Sequence, residues 1–559
     1  MFDLPLSDPP ALGEDTVRII PLGGLGDVGR NMTAFEINGQ ILLIDAGVLF
    51  PEEDYPGVDL ILPGFDVIAD RMDDVVGLVL THGHEDHIGA VPYLLKTYPG
   101  LKIFGSKLTL GFLAPKLREH RLNSVDMVEV HEGERLLIGR EFDVEFVAVN
   151  HSIPDALAVF VRTTAGTVLH TGDFKMDQLP LDHRLTDLRS FARFGAEGVD
   201  LFMADSTNAE VPGFTTGELD VEPALRRVFD KAQGKIVVAC FASHVHRVQQ
   251  VMNQAAEHGR RVAYVGRSMV RNMEIARDMG FLQVPGGTLV ESGELDSIPE
   301  DHLVIICTGS QGEPLSALSR MANRSHPSIK IGPSDTVLLA SSLIPGNENA
   351  VYRVINGLVK LGATVVHKGN ALVHVSGHAS AGELLYCYNI IQPKNAMPIH
   401  GEARHLVANA GLATATGVAN ALAVDDGTVV DLRDHQARVV GRVDASYILV
   451  DGTSVGGVSP ESLADRRVLG AEGFITVIAV INSSANPVVS VDIQARGFLD
   501  DGQVFEAVEP LIRSNLTAAL NDSVTDTYLL QQVIRRTIGR WVATTLRSRP
   551  LILPIVVRT

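Results

Sequence analysis

Short apolar runs give the first division of this chain. Residues 17–22, 32–37 and 41–45 are each apolar-rich and predict three strands. Gly23-Gly24-Leu25-Gly26 joins the first two. No helical pattern follows that loop, so it reads as a hairpin turn. A dinucleotide cradle needs strand, loop and helix in that order. Further strands are predicted at 75–80, 144–149, 167–171 and 199–204, mixed with helical spacing such as Ile88, Val91, Leu94 and Leu95. From 209 to 369 the texture changes. Helix-period segments at 222–233, 244–258 and 267–279 alternate with apolar strands at 235–239, 261–265, 303–306 and 336–339. That alternation with short links predicts a parallel-sheet domain of its own. Beyond Arg442, the stretch 451–465, with Gly452 to Gly457 and Ser459-Pro460, reads as a linker. The tail, 466–559, predicts strands at 473–481 and 487–494, helices at 504–519 and 525–546, and a last strand at 551–557. That is a small α+β module on an otherwise α/β chain.

Composition adds bounds. At 559 residues the chain is too long for one ordinary domain, and its 45% hydrophobic content can fill several cores. Its cysteines, Cys240, Cys307 and Cys387, are widely spaced and form no CxxC pair. Neither a disulfide framework nor a thiolate zinc site is expected, and this usage suits a reducing, cytoplasmic location. Met1 to Asp15 is acidic and Pro-containing, unlike a secretory signal. No apolar run approaches the roughly 18 residues of a membrane span, so no membrane partner is expected. Net charge is −20. Taken alone that disfavours nucleic acid, whose phosphates attract Lys and Arg. In a multidomain chain the local field decides, and bound cations contribute to it. The final stretch, 527–559, carries Arg535, Arg536, Arg540, Arg547, Arg549 and Arg558 and no Asp or Glu. It reads as a solvated face or as an RNA- or subunit-contacting edge.

Candidate chemistry concentrates where apolar strands end. After the run 75–80 comes Thr81-His82-Gly83-His84-Glu85-Asp86-His87, three imidazoles and two carboxylates in six residues. Those are the donors that zinc and other first-row divalent metals take. On a strand-to-helix turn, His82 and His84 point one way, and Asp86 and His87 fall on the next face. One turn thus offers two groups of ligands. Other strands end in His151, in Asp173 and, far downstream, in His400 of Pro398-Ile399-His400-Gly401-Glu402. In α/β proteins ligands collect at the carboxyl ends of strands. Each of these is weak alone, but a two-metal site needs more donors than one turn supplies.

The series His82-x-His84-x-Asp86-His87, His151, Asp173 resembles the metal-binding series of the metallo-β-lactamase fold. Asp45 in Leu43-Ile44-Asp45-Ala46-Gly47 matches that fold's first motif, whose carboxylate braces the site. Asp205, His378 within His374-Val375-Ser376-Gly377-His378-Ala379-Ser380, and His400 resemble the three extra motifs of the β-CASP nucleases. Within that group the chain is most similar to the bacterial ribonuclease J family. The residues that say so are Gly23 to Asn31, Phe241-Ala242-Ser243, Thr308 to Pro314 and the separate tail. Asp27 and His244 depart from the family pattern, where Glu and Asn are more usual.

The resemblance implies an αββα metallo-β-lactamase sandwich (1–208 with 370–450), an inserted β-CASP domain (209–369) and a C-terminal α+β domain. It implies two divalent ions, zinc or else manganese, one held by His82, His84, His151 and Asp173 and the other by Asp86, His87, Asp173 and His400. It implies a ribonuclease that removes nucleotides 5′→3′ from monophosphorylated single-stranded RNA, with possible endonuclease activity. Asp86, Asp205 and His378 are the catalytic candidates, His378 either as general acid or as phosphate binder. The loop from Ser376 through Gly377, His378 and Ala379 to Ser380, with His374, is the candidate 5′-phosphate pocket. Ser243 and His246 are candidate RNA contacts. A homodimer or homotetramer is implied. A small-molecule hydrolase of this fold needs neither the insert nor the 374–380 loop. A metal-poor scaffold has no use for the complete ligand set. A DNA-directed nuclease of the same group is the alternative that the residues exclude least well.

Overall fold

A computed structural model describes residues 7–51, 54–342, 347–482, 487–498 and 502–559. The start of the acidic N-terminal stretch, residues 1–6, lies outside the described residues. The chain forms two compact units, Met1–Phe50 with Ile61–Ile448, and Pro51–Leu60 with Leu449–Thr559.

In the first unit two sheets face each other across a common core. One has eight strands in the order 436–442, 428–433, 17–23, 32–37, 40–44, 75–80, 103–105, 127–129. The other has seven, in the order 420–421, 395–396, 201–203, 166–170, 157–163, 142–148, 135–138. Phe35, Leu42 and Val79 of the first pack with Phe146, Val159, Val168 and Met203 of the second. The outer face of the second sheet is covered through Phe160, Leu169 and Phe202, which meet Phe191, Phe194, Leu384 and Tyr388 of the helices Leu188–Glu197 and Ala381–Ile391. Sheets apolar on both faces need helices outside, so this is the expected αββα sandwich.

The Gly-rich loop joins a hairpin. Strands 17–23 and 32–37 pair antiparallel, with Ile19 opposite Phe35. Gly24 has φ +96°, and a Cβ there would lie 2.3 Å from the Asn31 Oδ1 atom, so glycine lets the Asn31 side chain in.

The insert is built on a five-stranded, all-parallel sheet in the order 261–265, 303–307, 236–239, 336–339, 364–366. Its helices include Glu222–Lys231, Val245–Glu257, Arg267–Asp278 and Glu348–Lys360. Parallel strands need crossovers, which is why the helical segments alternate with them in sequence.

In the second unit, the segment 451–465 expected as a linker is structured instead. Val450 pairs with Val455 in a short hairpin, and the helix Pro460–Glu472 begins where the Ser459 side chain accepts from the Ser462 N–H at 3.2 Å. A Ser cap before Pro is a helix start. Beyond it, Phe474–Ile481 pairs antiparallel with Val488–Arg496 and parallel with Leu551–Arg558. Ile475, Val477, Ala479 and Ile481 bury one face of that sheet against Ile512 and Leu516 of helix Glu509–Asn521 and Leu530, Ile534, Ile538 and Val542 of helix Thr527–Thr545. The alternation by two and the spacing by four are the periods of strand and helix. Among the described residues no helix is long and apolar enough to cross a membrane.

Candidate metal centre

Strand direction gathers the donors. In the seven-stranded sheet, 166–170, 201–203 and 395–396 run parallel, and 142–148 runs the same way through the antiparallel 157–163. Their carboxyl ends deliver His151, Asp173, Asp205 and His400 to one edge. From the facing sheet, 40–44 and 75–80 run parallel and deliver Asp45 and Thr81. The short helix Glu85–Ile88 then turns Asp86 and His87 inward. Two left-handed residues shape the rim, Asp45 at φ 60° and His400 at φ 52°. Strained backbone of this kind persists where the surroundings dictate it. Gly47 is obligatory, since a Cβ there would sit 1.6 Å from the Asp86 carbonyl oxygen.

Two sets of donor atoms could each hold a metal, His82 with His84 and His151, and Asp86 with His87, Asp173 and His400; a third set, Asp173, Asp205, His378 and His400, overlaps the second. His82 Nε2 and His151 Nε2 each lie 3.1 Å from His84 Nδ1, and each lies 3.7 Å from Asp173 Oδ2. On the other side, His87 Nε2 and His400 Nε2 lie 3.2 and 3.4 Å from the same oxygen, and Asp86 Oδ2 is 3.5 Å from His87 Nε2. The structure thus gathers every candidate ligand, with Asp173 in the middle.

Hydrogen bonds assign the imidazole tautomers. His151 Nδ1–H donates to the Gly377 carbonyl at 2.7 Å, His400 Nδ1–H to Asn31 Oδ1 at 2.8 Å and His87 Nδ1–H to Asp45 Oδ2 at 2.8 Å. Thr81 Oγ1 donates to Asp45 at 2.8 Å and so accepts from His82 Nδ1–H at 3.1 Å. The Nε2 atoms of His82, His151 and His400 are thus left bare and aimed inward, and the bare nitrogens of His82 and His151 cannot hydrogen-bond one another, while His87 Nε2 faces Asp173 Oδ2 at 3.2 Å. Metal–nitrogen bonds of about 2.0–2.1 Å set tetrahedral ligands about 3.4 Å apart, close to these separations. Asp173 Oδ1 is buried with no hydrogen-bond partner. A divalent cation in each of the first two sets answers both facts, so the residues fit metal. The braces Asp45, Asn31 and Gly377 are the outer hydrogen bonds that metal-ligating imidazoles require.

The electrostatics agree. Burial holds His82, His84 and His151 below the ordinary histidine value, His84 down to about 4, so all three stay neutral and offer lone pairs. Burial alone would raise Asp173, but His400 and His87 hold it ionised. Burial would lower His87, yet Asp173, Asp86 and Asp45 lift it well above its usual value. Three carboxylates round one imidazole make a pocket that seeks positive charge.

His378 stands beside this centre. Its Nδ1 lies 2.7 Å from Asp205 Oδ2, and its ring stacks on His400 with centroids 5.4 Å apart. Burial lowers it, but Asp205, with Asp173 and Asp86 behind, lifts its pKa to about 9. The backbone of His378 is fixed as well, its carbonyl accepting from Thr215 Oγ1 at 2.7 Å and Asn208 Nδ2 at 3.0 Å.

The rest of the 374–380 loop divides. Ser376 is half-buried, its hydroxyl accepting from the His378 N–H at 3.2 Å, and Gly377 packs on His151. Ala379 and Ser380 are buried, and Ser380 begins the helix Ala381–Ile391, its N–H donating to Glu383 and its hydroxyl meeting Thr215. Ser380 is therefore already committed to the helix start. His374 lies deeper, its ring 5.9 Å from that of His244. His246 is buried with Nε2 3.2 Å from Asp182 Oδ2, and Ser243 is half-buried on the loop before it. His374 and His246 lie at the junction of insert and sandwich rather than among the metal donors. Pattern reading passed over Asn31 and Thr81, which orient the ligands, and Thr215 and Asn208, which hold His378. Polar residues at strand ends and turns carry no periodic signal.

Comparisons with known proteins identify the family of the chain. Family models match at residues 42–239 (beta-lactamase superfamily domain), 233–358 (ribonuclease J, beta-CASP domain), 363–423 (Zn-dependent metallo-hydrolase RNA specificity domain) and 461–559 (ribonuclease J C-terminal domain). The chain is 48% identical to ribonuclease J of Mycolicibacterium smegmatis over 555 residues, 99% of each chain. It is 48% identical to ribonuclease J of Mycobacterium tuberculosis over the full length of both. Ribonuclease J2 of Bacillus subtilis is 34% identical over 97% of this chain and 98% of that protein. A crystal structure of a protein of unknown function from Enterococcus faecalis shares the fold, with a TM-score of 0.52 and 16% identity, over 75% of this chain and all of that one.

Proposed function

Since the chain belongs to the ribonuclease J family, and is thereby a metal-dependent ribonuclease of the metallo-β-lactamase fold, we propose that it shortens 5′-monophosphorylated single-stranded RNA in the 5′→3′ direction, with endonucleolytic cleavage as a second mode. The observation that carries this reading is the 2.7 Å bond from His151 to the Gly377 carbonyl. It ties the candidate 5′-phosphate loop to a candidate metal ligand. A terminal phosphate seated on Ser376 and the neighbouring backbone then leaves only a short span of strand before the metal centre.

Two divalent ions fit the donor set, zinc in the nitrogen-rich group of His82, His84 and His151, and zinc or manganese in the group of Asp86, His87 and His400. When bound, such ions lower the pKa of water and stabilise charge on phosphate oxygens. The chain's own residues do the rest. Asp173, whose Oδ2 lies 3.7 Å from His82 and His151 and 3.2 and 3.4 Å from His87 and His400, would be within reach of an ion in either group. Asp45, Asn31 and Gly377 hold the imidazoles in the tautomer that binds. Asp205 keeps a proton on His378 Nδ1 and orients the ring, so His378 is poised to protonate the leaving 3′ oxygen. We assign the protein a homodimeric or homotetrameric state, as the family resemblance implies. The cytoplasm is its proposed site, consistent with three buried, unpaired cysteines.

The test is degradation of one RNA bearing a 5′-monophosphate, triphosphate or hydroxyl end, with a DNA of the same sequence, with and without chelator. Release of mononucleotides from the monophosphate RNA alone is expected, and chelation should stop it. Equal action on DNA would favour the DNA-directed reading. Inertness toward every RNA end would overturn the proposal.

A further inference from the structure

The carboxylate of Glu383 has no part in the chemistry above, yet it is bonded to three separate segments around the centre. It stands in the first turn of the helix Ala381–Ile391 and is 1% exposed. Its Oε2 accepts from the Ser380 N–H at 2.8 Å, one of the two reciprocal bonds of a capping box at the helix start. A glutamate that served only the helix would end there. The same Oε2 also accepts from the Thr215 N–H at 2.8 Å, and Oε1 accepts from the Met176 N–H at 2.7 Å. Thr215 belongs to the stretch that leads into the insert helix Glu222–Lys231. Met176 belongs to the segment after the strand Gly166–His170 that carries Asp173.

Two of those segments hold His378. Thr215 Oγ1 donates to the His378 carbonyl at 2.7 Å and meets Ser380 Oγ at 2.8 Å, and Ser380 closes the loop that bears His378. The third segment holds the metal donors. Asp173 Oδ2 faces His87 and His400, and the Lys175 N–H donates at 2.8 Å to the Asn150 carbonyl, beside His151. Glu383 therefore spans from the 374–380 loop to the segment of Asp173. Bonds to an ionised carboxylate are the strong ones, and a buried N–H deprived of its acceptor has no water to take instead.

We propose that Glu383 is a positioning residue that fixes the span between the 374–380 loop and the Asp173 segment, and with it the register at which a 5′ end meets the metal centre. The inference rests on the 5′-end reading above. A terminal phosphate seated on the loop is presented to the centre in the geometry that Glu383 sets. A misplacement of about 1 Å costs on the order of 10²-fold in rate.

Glutamine separates this role from the helix start. An amide has one acceptor oxygen and an NH₂ donor. In Glu383→Gln the oxygen retains the Thr215 and Ser380 bonds from the place of Oε2, and the NH₂ is set against the Met176 N–H. The helix start survives, and the tie to the Asp173 segment is lost.

The test compares kcat/KM for one RNA bearing a 5′-monophosphate or a 5′-hydroxyl end, in the wild-type full chain and in Glu383→Gln, with bound metal and amide exchange followed in the same preparations. The monophosphate-to-hydroxyl ratio should fall about 10–100-fold in the variant. Bound metal per chain should stay unchanged, and exchange at the Met176 amide should rise. The ratio does not depend on how much of the protein is folded, so a merely structural role leaves it unmoved. An unchanged ratio would overturn the proposal. Should Glu383→Gln fail to fold, Thr215→Val decides, since it keeps the shape, cuts the hydroxyl bonds to His378 and Ser380, and should lower the same ratio. A wild-type protein indifferent to the 5′ end would overturn the 5′-end reading instead. In that case faster Met176 exchange with slower single-turnover cleavage in Glu383→Gln would uphold the span, and unchanged exchange would overturn it.

Discussion

Asp45 and His378 show how single residues set this centre. Asp45 takes no place among the gathered donor atoms, yet its carboxylate accepts from the Thr81 N–H, the Thr81 hydroxyl and His87 Nδ1, each at 2.8 Å. Asp45→Asn should therefore keep the fold but weaken metal affinity by about 10–100-fold, read by chelator competition. His378 differs, because it lies beside the donors and carries a proton held by Asp205. His378→Gln should lower single-turnover cleavage by about 10²–10⁴-fold while bound metal per chain stays unchanged. Loss of metal in that variant would move His378 into the ligand set, and undiminished cleavage would remove it from proton transfer.

Between elements, the junction of insert and sandwich is unusually polar. The helix Val245–Glu257 sends Arg247, fully buried, to the Val373 carbonyl and to Glu218 Oε2 at 2.8 Å. Lys175 Nζ, Glu218 Oε1, His244 Nε2, His246 Nδ1 and His374 Nδ1 are buried around it without hydrogen-bond partners. Burial, with the Arg247 guanidinium adding, pushes His374 down to about 3. Its folded pKa thus lies below its unfolded value of about 6.5, and between those values the unfolded chain binds the extra proton. The stability it contributes is complete above pH 6.5 and is lost as pH falls towards 3. Urea unfolding across that window should show His374→Gln losing up to about 1.4 kcal/mol per pH unit of the wild-type slope. An unchanged slope would mean that His374 is protonated in the folded chain.

On the scale of the whole molecule, chemistry and C-terminal packing belong to different compact units. Ile534 is fully buried in the core of the second unit. Ile534→Ala should cost that unit about 2–5 kcal/mol, seen by denaturant unfolding, with metal affinity unaffected. A fall in metal affinity would mean that the two units are energetically coupled. Much of this organisation was legible beforehand. The parallel sheet of the insert could be read because buried strands are continuous apolar runs, and the tail because its strands and helices keep their periods of two and near four. The stretch 451–465 was misread because Gly, Ser and Pro also build hairpin turns and helix caps, which composition alone does not separate from a linker. The sequence by itself determined the donor types and their placement at strand ends, since three imidazoles and two carboxylates within six residues serve few purposes. Only the tertiary structure decided that residues from 82 to 400 converge on Asp173, which nitrogens of those imidazoles face inward, and that Arg30 and Tyr447 share a cavity. Those facts depend on distances between segments hundreds of residues apart, and a linear pattern carries no such distances.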